Sequence, residues 1–574
     1  MKNLRQHSSI LGLIAGLAVT SAALAGDDPL KLELSNDIVL RALADELDRG
    51  KSGLKIQDMG PPYFASCSLG DNTVIAVTAK LGAVTSQWSV EHSRWLRCDV
   101  RVGSYELDQT NFSSGGGMPF FGGGRGSSEA QVPIEDNYSA IRQAVWWAMD
   151  RTYKGAVETL AAKKAVMEAK IIEDKPPDFT RAEPVVYFEP KVDLTLPKAQ
   201  VLEMATTLSG IFRDFPDMKD SGVFVRASAA HRYLVNSEGT HIRTSAGWWS
   251  VRVSATVQAE DGMEMTGSLE LVAQERSELP PAAELEGEVR KLAQQMLDLR
   301  KAPVLDSYSG PVLLDAPVAT SMFARMFGHR FSGGQRPVGS RGTDPEDFSN
   351  KLQKRILPRF AQAVDDPTRE KVNGNLVMGH YLYDEEGVRA RPVSLVENGR
   401  LVGLLMSRNP SKEFAASTGH GRMYGASSRA AVGCLTLTAT EGLEETALRQ
   451  ELVDSAQDEG LPYAIRVAGL GSISSEGRDE SGGGNPLIVY RVFPDGREEL
   501  VRGVQFARVD LKAFKRVLAY GDELFVLNAG QSQTVAAPAM LFEELDLAKI
   551  DRDFDKPPVL PAPLARPGST FRTP

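Results

Sequence analysis

A glycine-flanked loop, GHGR at residues 419–422, places an imidazole and a guanidinium where both could contact a ligand. Glycines let backbone groups approach a substrate closely, and His420 with Arg422 would suit a carboxylate or a peptide carbonyl. The pattern predicts a substrate-binding role for His420 and Arg422. Loop structure alone would explain the glycines equally well, so that alternative stays open.

A second candidate is His329, which follows an apolar stretch where Val318, Met322, Phe323 and Phe327 recur at helical spacing. We predict a helix here that ends at about residue 328, where a glycine is well placed to terminate it. The neutral imidazole is a common metal ligand, so His329 is a candidate for that role. A packed or capping histidine is the alternative.

The elements that must position these residues are predicted from hydrophobic periodicity. Helical patterns are found at about 37–49, 137–170, 198–212 and 284–299. Alternating strand patterns are found at 62–112, 221–263 and 380–407, with hairpin turns predicted at 236–239, 386–387 and 398–399. We therefore expect antiparallel sheets with helices packed on them.

Three short stretches carry a family resemblance, and we call them landmarks. They are RVGSYELDQTNF at 101–112, SEGT at 237–240 and GHGR at 419–422. With them the chain resembles the TldD/PmbA family of zinc metallopeptidases, also known as DNA gyrase modulators or microcin-processing proteins. The resemblance extends over nearly all of the chain after its leader. It implies an inherited fold more strongly than an inherited activity.

Active members of this family carry His-Glu-x-x-x-His on the helix before His329. The matching residues here are Ala324, Arg325, Met326, Phe327, Gly328 and His329. A zinc peptidase needs about three protein ligands and a carboxylate that accepts the proton of bound water. Alanine has no donor atom and arginine is a permanent cation. Ala324 and Arg325 therefore replace the family histidine and glutamate, and we assign no catalytic residue.

The family completes its zinc site with a cysteine just before a Gly-Gln-Ser segment near the C-terminus. Gly530, Gln531 and Ser532 match that segment, but no cysteine precedes them, and Cys434 lies far upstream. His329 is thus the one surviving family ligand for a metal. We expect no cofactor, whereas active family members hold zinc.

Pattern and resemblance together predict an α+β fold in two domains. The first is an N-terminal antiparallel sheet with long packing helices, and the second is a C-terminal β-rich, barrel-like domain with the motif helix. We divide the chain into a signal peptide at 1–25, domains at 26–303 and 304–551, and a Pro-rich tail at 552–574.

The N-terminus is typical of an export signal, with Lys2 and Arg5 ahead of an apolar centre at 10–19 and a small-residue cleavage site at 23–25. We expect an exported protein, periplasmic or extracellular, that is soluble after cleavage. Removing the two leader charges changes the net charge from −10 to −12. This acidic balance argues against nucleic acid as a partner, and no later segment is apolar enough for a membrane span.

The three cysteines, Cys67, Cys98 and Cys434, have no metal-binding spacing. Export would permit a disulfide, and Cys67 with Cys98 is the favoured pair because they lie in neighbouring predicted strands. Simple buried thiols are the alternative. A metal site rearranged from His329, His380, His420 and Cys434 is conceivable, but the sequence does not fix their distances.

Several other conspicuous residues are interpreted as structural. His231 and His241 flank a hairpin as surface or cross-strand residues, and at least one of Trp146 and Trp147 is expected in the core. The acidic run at 384–386 is interpreted as a solvated turn. The glycine-rich loop at 115–126 is expected to be a surface loop.

Three hypotheses on function follow. The leading one is a non-catalytic or degenerate family member that binds a peptide, an unfolded segment or a second TldD/PmbA-type subunit of a proteolytic assembly. The family implies this, because an active zinc subunit can pair with a metal-free one and peptides can enter as an added strand. The alternatives are a metallopeptidase with a rearranged site using His329 and His420, and an envelope structural protein.

Overall fold

The computed structural model of this chain describes residues 29–56, 59–113, 130–170, 175–340, 348–424, 427–473, 485–551, 553–558, 560 and 563. The predicted leader, the glycine-rich loop and most of the tail therefore lie outside the described residues. The domain division stays a prediction. Among the described helices, none is both long enough and apolar enough to cross a membrane.

The N-terminal half builds one antiparallel sheet from long hairpins. Its strands are β1 (Phe64–Lys80), β2 (Ala83–Arg101), β3 (Ala130–Gln131), β4 (Val186–Phe188), β5 (Asp220–Asn236), β6 (His241–Gln258) and β7 (Glu264–Ala273). The order is β3-β2-β1-β5-β6-β7, and β4 adds to β6 in parallel. The β5–β6 hairpin turns at the predicted residues, with Gly239 at φ +103°.

Helices cover one face of this sheet. They are α1 (Pro29–Asn36), α2 (Ile38–Gly53), α3 (Tyr138–Lys170), α4 (Lys198–Gly210) and α5 (Ala282–Lys301). Alternate residues of the strands pack under them: Cys67, Leu69, Tyr233 and Val235 under α2 and α3, and Val223, Val225, Val251 and Val253 under α4 and α5. α2 to α5 match the predicted helices within a few residues, because amphipathic periodicity is a local property, whereas α1 was not predicted.

The C-terminal half is centred on the last long strand. Its strands are β8 (Tyr308–Leu314), β9 (Ala361–Asp365), β10 (Lys371–Val372), β11 (Asn375–Leu376), β12 (Val393–Glu397), β13 (Arg400–Leu401), β14 (Gly421–Tyr424), β15 (Ser427–Ala430), β16 (Cys434–Ala439), β17 (Ala464–Ile473), β18 (Asn485–Val492), β19 (Glu498–Val501), β20 (Val504–Phe506), β21 (Val517–Asn528) and β22 (Thr534–Lys549). β22 pairs with β21 and β20 along one edge and with β16 and β8 along the other.

The helices of this half are α6 (Ala316–Phe327), α7 (Glu445–Asp458) and α8 (Leu511–Lys515). The predicted hairpin at Asn398 and Gly399 joins β12 to β13, with both residues at positive φ, as a type I′ turn requires. The expected α+β fold is confirmed, with N- and C-terminal parts. The pairings among the described strands form no closed barrel.

One structural expectation about this half was wrong. Trp146 and Trp147 are 39% and 51% exposed, so neither is a core residue. Their helix buries Ile141, Val145 and Met149 instead, because these residues lie on the stripe that faces the sheet.

His231 was expected to be a surface or cross-strand residue. The structure shows the cross-strand alternative, with His231 opposite Ser245. Its side chain is buried, and Nε2 lies 3.0 Å from the Val192 carbonyl.

Candidate functional site

The motif helix α6 is held at its start by an ion pair. Asp315 precedes the helix and accepts two hydrogen bonds from Arg466, at 2.9 and 2.8 Å. Val318, Met322, Phe323 and Phe327 are fully buried on one side of the helix. As the sequence predicted, the helix ends at Phe327, and a 3₁₀ turn follows at Gly328–Phe331.

The residues in the family's metal-binding positions face the less buried side of this helix. Ala324 is partly buried, whereas Arg325 and His329 are exposed. No group of three histidine, cysteine, aspartate or glutamate side chains within the described ranges is arranged to hold a metal ion. A methyl group, a guanidinium and one exposed imidazole do not form a zinc ligand set, so the residues present do not fit the family metal.

The GHGR loop buries its histidine. His420 is 0% exposed, and its Nε2 lies 3.1 Å from Oδ1 of Asp365, which is also fully buried. Its Nδ1 lies 2.9 Å from the Thr418 hydroxyl. Both ring nitrogens therefore have protein partners, and this geometry fits a residue that stabilises the loop. The substrate-binding role of His420 stays a prediction.

Asp365 also joins the loop to the neighbouring strand. Its carboxylate accepts hydrogen bonds from the backbone N–H groups of Gly433 and Cys434, all at 3.2 Å. Of the residues considered for a rearranged metal site, His420 and Cys434 both contact Asp365. His380 has a different partner: its Nδ1 lies 3.0 Å from the Pro367 carbonyl. Burial, followed by the Asp365 charge, raises the pKa of the Cys434 thiol to about 12, so the sulfur stays protonated and is a poor ligand.

Arg422 occupies a more open position in the same loop. Its guanidinium lies 4.6 Å from the centre of the Tyr381 ring, and Nη2 is 3.5 Å from Oε1 of Glu385. Arg232 of β5 approaches the same Glu385 oxygen at 3.3 Å. Arg422 is mostly buried, but its ionic contact is long, which leaves its predicted ligand-binding role untested.

The acidic run at 384–386 is not the solvated turn that we expected. Asp384 is buried and accepts hydrogen bonds from the backbone N–H groups of Glu386, Val388 and Gly421 at 2.8 to 3.0 Å. Burial, and then the Glu386 charge, raise the pKa of Asp384 to about 8. The expectation failed because the run faces the GHGR loop, a contact that charge spacing cannot reveal.

Glu386 connects this loop to Arg408. Its Oε2 accepts a hydrogen bond from the Arg408 backbone N–H at 2.6 Å. Burial raises the pKa of Glu386 as well, while the positive charge of Arg408 opposes that shift. A β-carbon at position 421 would overlap the Glu386 carboxylate, which explains the second glycine of GHGR by close packing.

The fully buried guanidinium of Arg408 crosses from the C-terminal to the N-terminal half. It donates to the Thr180 carbonyl at 2.8 and 2.5 Å and to Oε1 of Glu238, in the SEGT landmark, at 2.7 Å. Its Cζ lies 3.9 Å from the centre of the Phe179 ring, and Cζ of Arg101, in the first landmark, lies 3.6 Å from the same centre. We call these residues and Glu386 the junction cluster.

The first landmark is anchored by its own buried ion pairs. Asp108 is 0% exposed and accepts hydrogen bonds from Tyr63 at 2.6 Å and from Arg101 at 3.2 Å. Lys163 and Asp178, both fully buried, pair at 2.6 Å beneath it. The three landmarks therefore converge on one polar junction between the halves. The role of Arg408 in this junction was not predicted from the sequence.

The Gly-Gln-Ser turn joins β21 to β22 and also reaches the first half. Gln531 Nε2 donates to the Ser228 hydroxyl at 3.0 Å. Ser228 lies on β5, on the sheet face that the helices leave open. This contact and the junction cluster hold the two halves together at separate points.

Comparison with known proteins agrees with this architecture. Residues 307–549 match the family described as PmbA/TldA metallopeptidase C-terminal domain. A metalloprotease of Archaeoglobus fulgidus is 27% identical over 202 residues, which are 33% of this chain and 45% of that protein. A metalloprotease of Synechocystis is 26% identical over 193 residues, 33% of this chain and 38% of that protein. The matches span less than half the length of these relatives.

A solved structure extends the likeness to the whole fold. TldE from Thermococcus kodakarensis superimposes with a TM-score of 0.58 at 14% identity, covering 88% of this chain and 100% of TldE. At this identity the likeness concerns the fold alone. The C-terminal family match and the metalloprotease relatives, together with the TldE-like fold, support the TldD/PmbA family for this chain.

Proposed function

We propose that this chain is an exported, non-catalytic member of its family that binds peptides or a second family subunit within a proteolytic assembly. The observation that carries the proposal is the replacement of the motif's first ligand and general base by Ala324 and Arg325. A zinc-bound water at this helix would have no carboxylate to accept its proton, and a guanidinium would oppose the metal charge.

The surroundings of the remaining histidines support the same conclusion. His329 is exposed at the end of α6, and His420 is buried against Asp365. A rearranged metallopeptidase site, the second candidate, would have to draw His420 away from two existing partners. The observation in its favour is the meeting of His420 and Cys434 at Asp365, but the raised thiol pKa weakens it.

Peptide binding is supported by an open sheet edge. Among the described residues, the outer edge of β2 pairs only with β3, at Trp95 and Leu96. The preceding stretch of β2, residues 83–89, is exposed throughout. An extended peptide could add there as a further strand through main-chain hydrogen bonds.

A paired assembly is supported by the fold of TldE, which this chain matches over the full length of that protein. The family pairs active with metal-free subunits, so an exported relative with an intact motif would be the natural partner. A purely structural envelope role, the third candidate, predicts neither peptide nor subunit binding.

Two measurements on the purified full chain test the proposal. The first is zinc content after incubation with zinc and desalting, for the wild type and for His329→Ala. We expect far less than one zinc per chain in both. Stoichiometric zinc that is lost in His329→Ala would instead establish a working metal site.

The second measurement is a pull-down with an unfolded peptide library and with a co-expressed family subunit that has the intact motif. Capture of either supports the proposed role. Capture of neither would favour the structural alternative.

A further inference from the structure

The face of the N-terminal sheet opposite its helices carries a cation without an acidic partner among the described residues. Arg226 lies on β5 between Ala76 of β1 and Ser250 of β6, on the face turned away from the α4 and α5 core. Within the part of the chain that the structure describes, its buried Nε has no hydrogen-bond partner and its guanidinium forms no ion pair. Burial is the only cause that lowers the pKa of Arg226, so no nearby described carboxylate compensates for it.

The aromatic neighbour of this guanidinium also has an unused donor. Cζ of Arg226 lies 5.0 Å from the centre of the Trp248 indole, a cation–π contact that orients the guanidinium. Trp248 is only 9% exposed, and no described residue accepts a hydrogen bond from its Nε1–H. Two donors with nothing to bind therefore lie side by side, and a buried unpaired donor is unfavourable.

Several other guanidiniums of the chain are paired within the fold. Arg101, Arg243, Arg408, Arg466 and Arg502 each lie within 3.2 Å of a carboxylate oxygen. On the face that carries Arg226, Glu270 lies two strands away and is paired with Arg252 at 2.8 Å. The acceptor that those five arginines have is missing at Arg226 among the described residues.

An apolar platform lies on the same sheet face. Trp88 is opposite Ala76 on β2, so Trp88, Ala76 and Arg226 form one row across three strands. Two strand spacings separate the indole from the arginine, about 10 Å. Trp88 is 54% exposed and can contact a ligand's apolar side chain. On the other side, Ser228 opposite Trp248 is bound by Gln531, so the site borders the second half.

From this arrangement we infer that Arg226 and the indole N–H of Trp248 form a subsite for the carboxylate of a peptide ligand, with Trp88 as an apolar platform beside it. The choice of a peptide rests on the proposed function. Both donors require an acceptor, the guanidinium requires a negative one, and a planar carboxylate matches its geometry. The carboxylate comes from the peptide's C-terminus or from an acidic side chain.

Calorimetric titration of the full chain with three short peptides tests this site and distinguishes the two sources. The probes are acetyl-Ala-Ala-Phe with a free carboxylate, the same peptide as its C-terminal amide, and acetyl-Ala-Asp-Phe amide. We expect one or both acidic probes to bind about tenfold or more tightly than the neutral amide, as expected for a charge-assisted contact. Equal affinity for all three, or no binding of either acidic probe, overturns the subsite.

Variants assign the effect to the named residues. Arg226→Gln should remove the preference for acidic probes, Arg226→Lys should retain part of it, and Trp248→Phe should weaken it several-fold while keeping the ring. Arg252→Gln, on the same face but already paired with Glu270, is the matched control and should bind as the wild type does. An unchanged preference in Arg226→Gln, with native circular dichroism, contradicts the assignment. Equal binding of all three probes would refute this subsite but would leave the proposed peptide binding intact. Failure of the subsite and failure of the proposed function are therefore distinguishable.

Discussion

Arg408 in the C-terminal half donates a hydrogen bond of 2.7 Å to Glu238 in the N-terminal half, and the Arg408 side chain is completely shielded from solvent. The two residues are 170 positions apart in the chain. Through Glu386 and Arg101 the same cluster reaches the other two landmarks. These contacts give the landmark residues a structural role in joining the two halves.

Breaking this contact should destabilise the fold strongly. Arg408→Met leaves Glu238 without its cationic partner, and removal of one member of a buried ion pair costs about 3–5 kcal/mol. We expect a free energy of unfolding lower by that amount, measured by urea denaturation. Arg232→Met, which removes the more exposed contact with Glu385, is the control and should change stability by less than about 1 kcal/mol. Similar effects for both variants would refute the structural importance of the junction cluster.

The Asp384–Glu386 pair predicts a specific pH dependence. Because the folded-state pKa of Asp384 is raised from 3.8 to about 8, its contribution to stability is complete below pH 3.8 and is lost as the pH rises to about 8. Glu386→Gln removes the neighbouring charge while keeping an acceptor for Arg408. We expect this variant to lose less stability than the wild type between pH 5 and 8.

Urea denaturation at several pH values measures this difference, with Glu385→Gln as the adjacent control. The wild type and Glu385→Gln should show the same slope. Parallel curves for the wild type and Glu386→Gln would show that the two carboxyl groups do not interact.

The Cys67–Cys98 disulfide provides a test of export. These residues are paired across β1 and β2, as the neighbouring-strand argument favoured, while Cys434 is a buried free thiol. A loop of this length corresponds to about 3–4 kcal/mol of stabilisation in the chain-entropy treatment. Protein recovered from an oxidising compartment should therefore lose thermal stability on reduction.

Thiol alkylation followed by mass spectrometry measures the pairing directly. We expect one alkylated cysteine, Cys434, and only after denaturation, since its thiol is buried with a raised pKa. Free Cys67 and Cys98 in the native protein would contradict both the disulfide and the export that permits it.

The GHGR loop separates a structural histidine from a candidate binding residue. The His420 ring contacts Thr418 through Nδ1 and Asp365 through Nε2. The glutamine side chain in His420→Gln cannot make both contacts, so we expect the free energy of unfolding to fall by about 1–3 kcal/mol. Arg422→Gln should cost less stability than His420→Gln, because the ionic contact of Arg422 with Glu385 is long, at 3.5 Å. If Arg422 contacts the ligand, this variant also weakens peptide binding; unchanged peptide affinity would remove it from the predicted substrate-binding residues.

Local patterns in the sequence were sufficient to predict α2 to α6, the hairpin at Asn398 and Gly399, and the packing of α6. They were insufficient where tertiary contacts decide. The burial of Asp384 depends on Gly421, which is distant from it in sequence. The position of Arg408 depends on Thr180 and Glu238, which are also distant from it in sequence. The sequence did not indicate a binding role for Arg226 for a related reason. What distinguishes Arg226 is the lack of a partner among the described residues, and this is known only once the surrounding structure is known.

We propose that Ala324 and Arg325 have removed hydrolysis from this fold. The most direct test is a peptidase assay of the full chain with added zinc, with and without a chelator, for the wild type and His329→Ala. We predict no chelator-sensitive cleavage in either protein. Cleavage by the wild type that disappears both with chelator and in His329→Ala would contradict the claim.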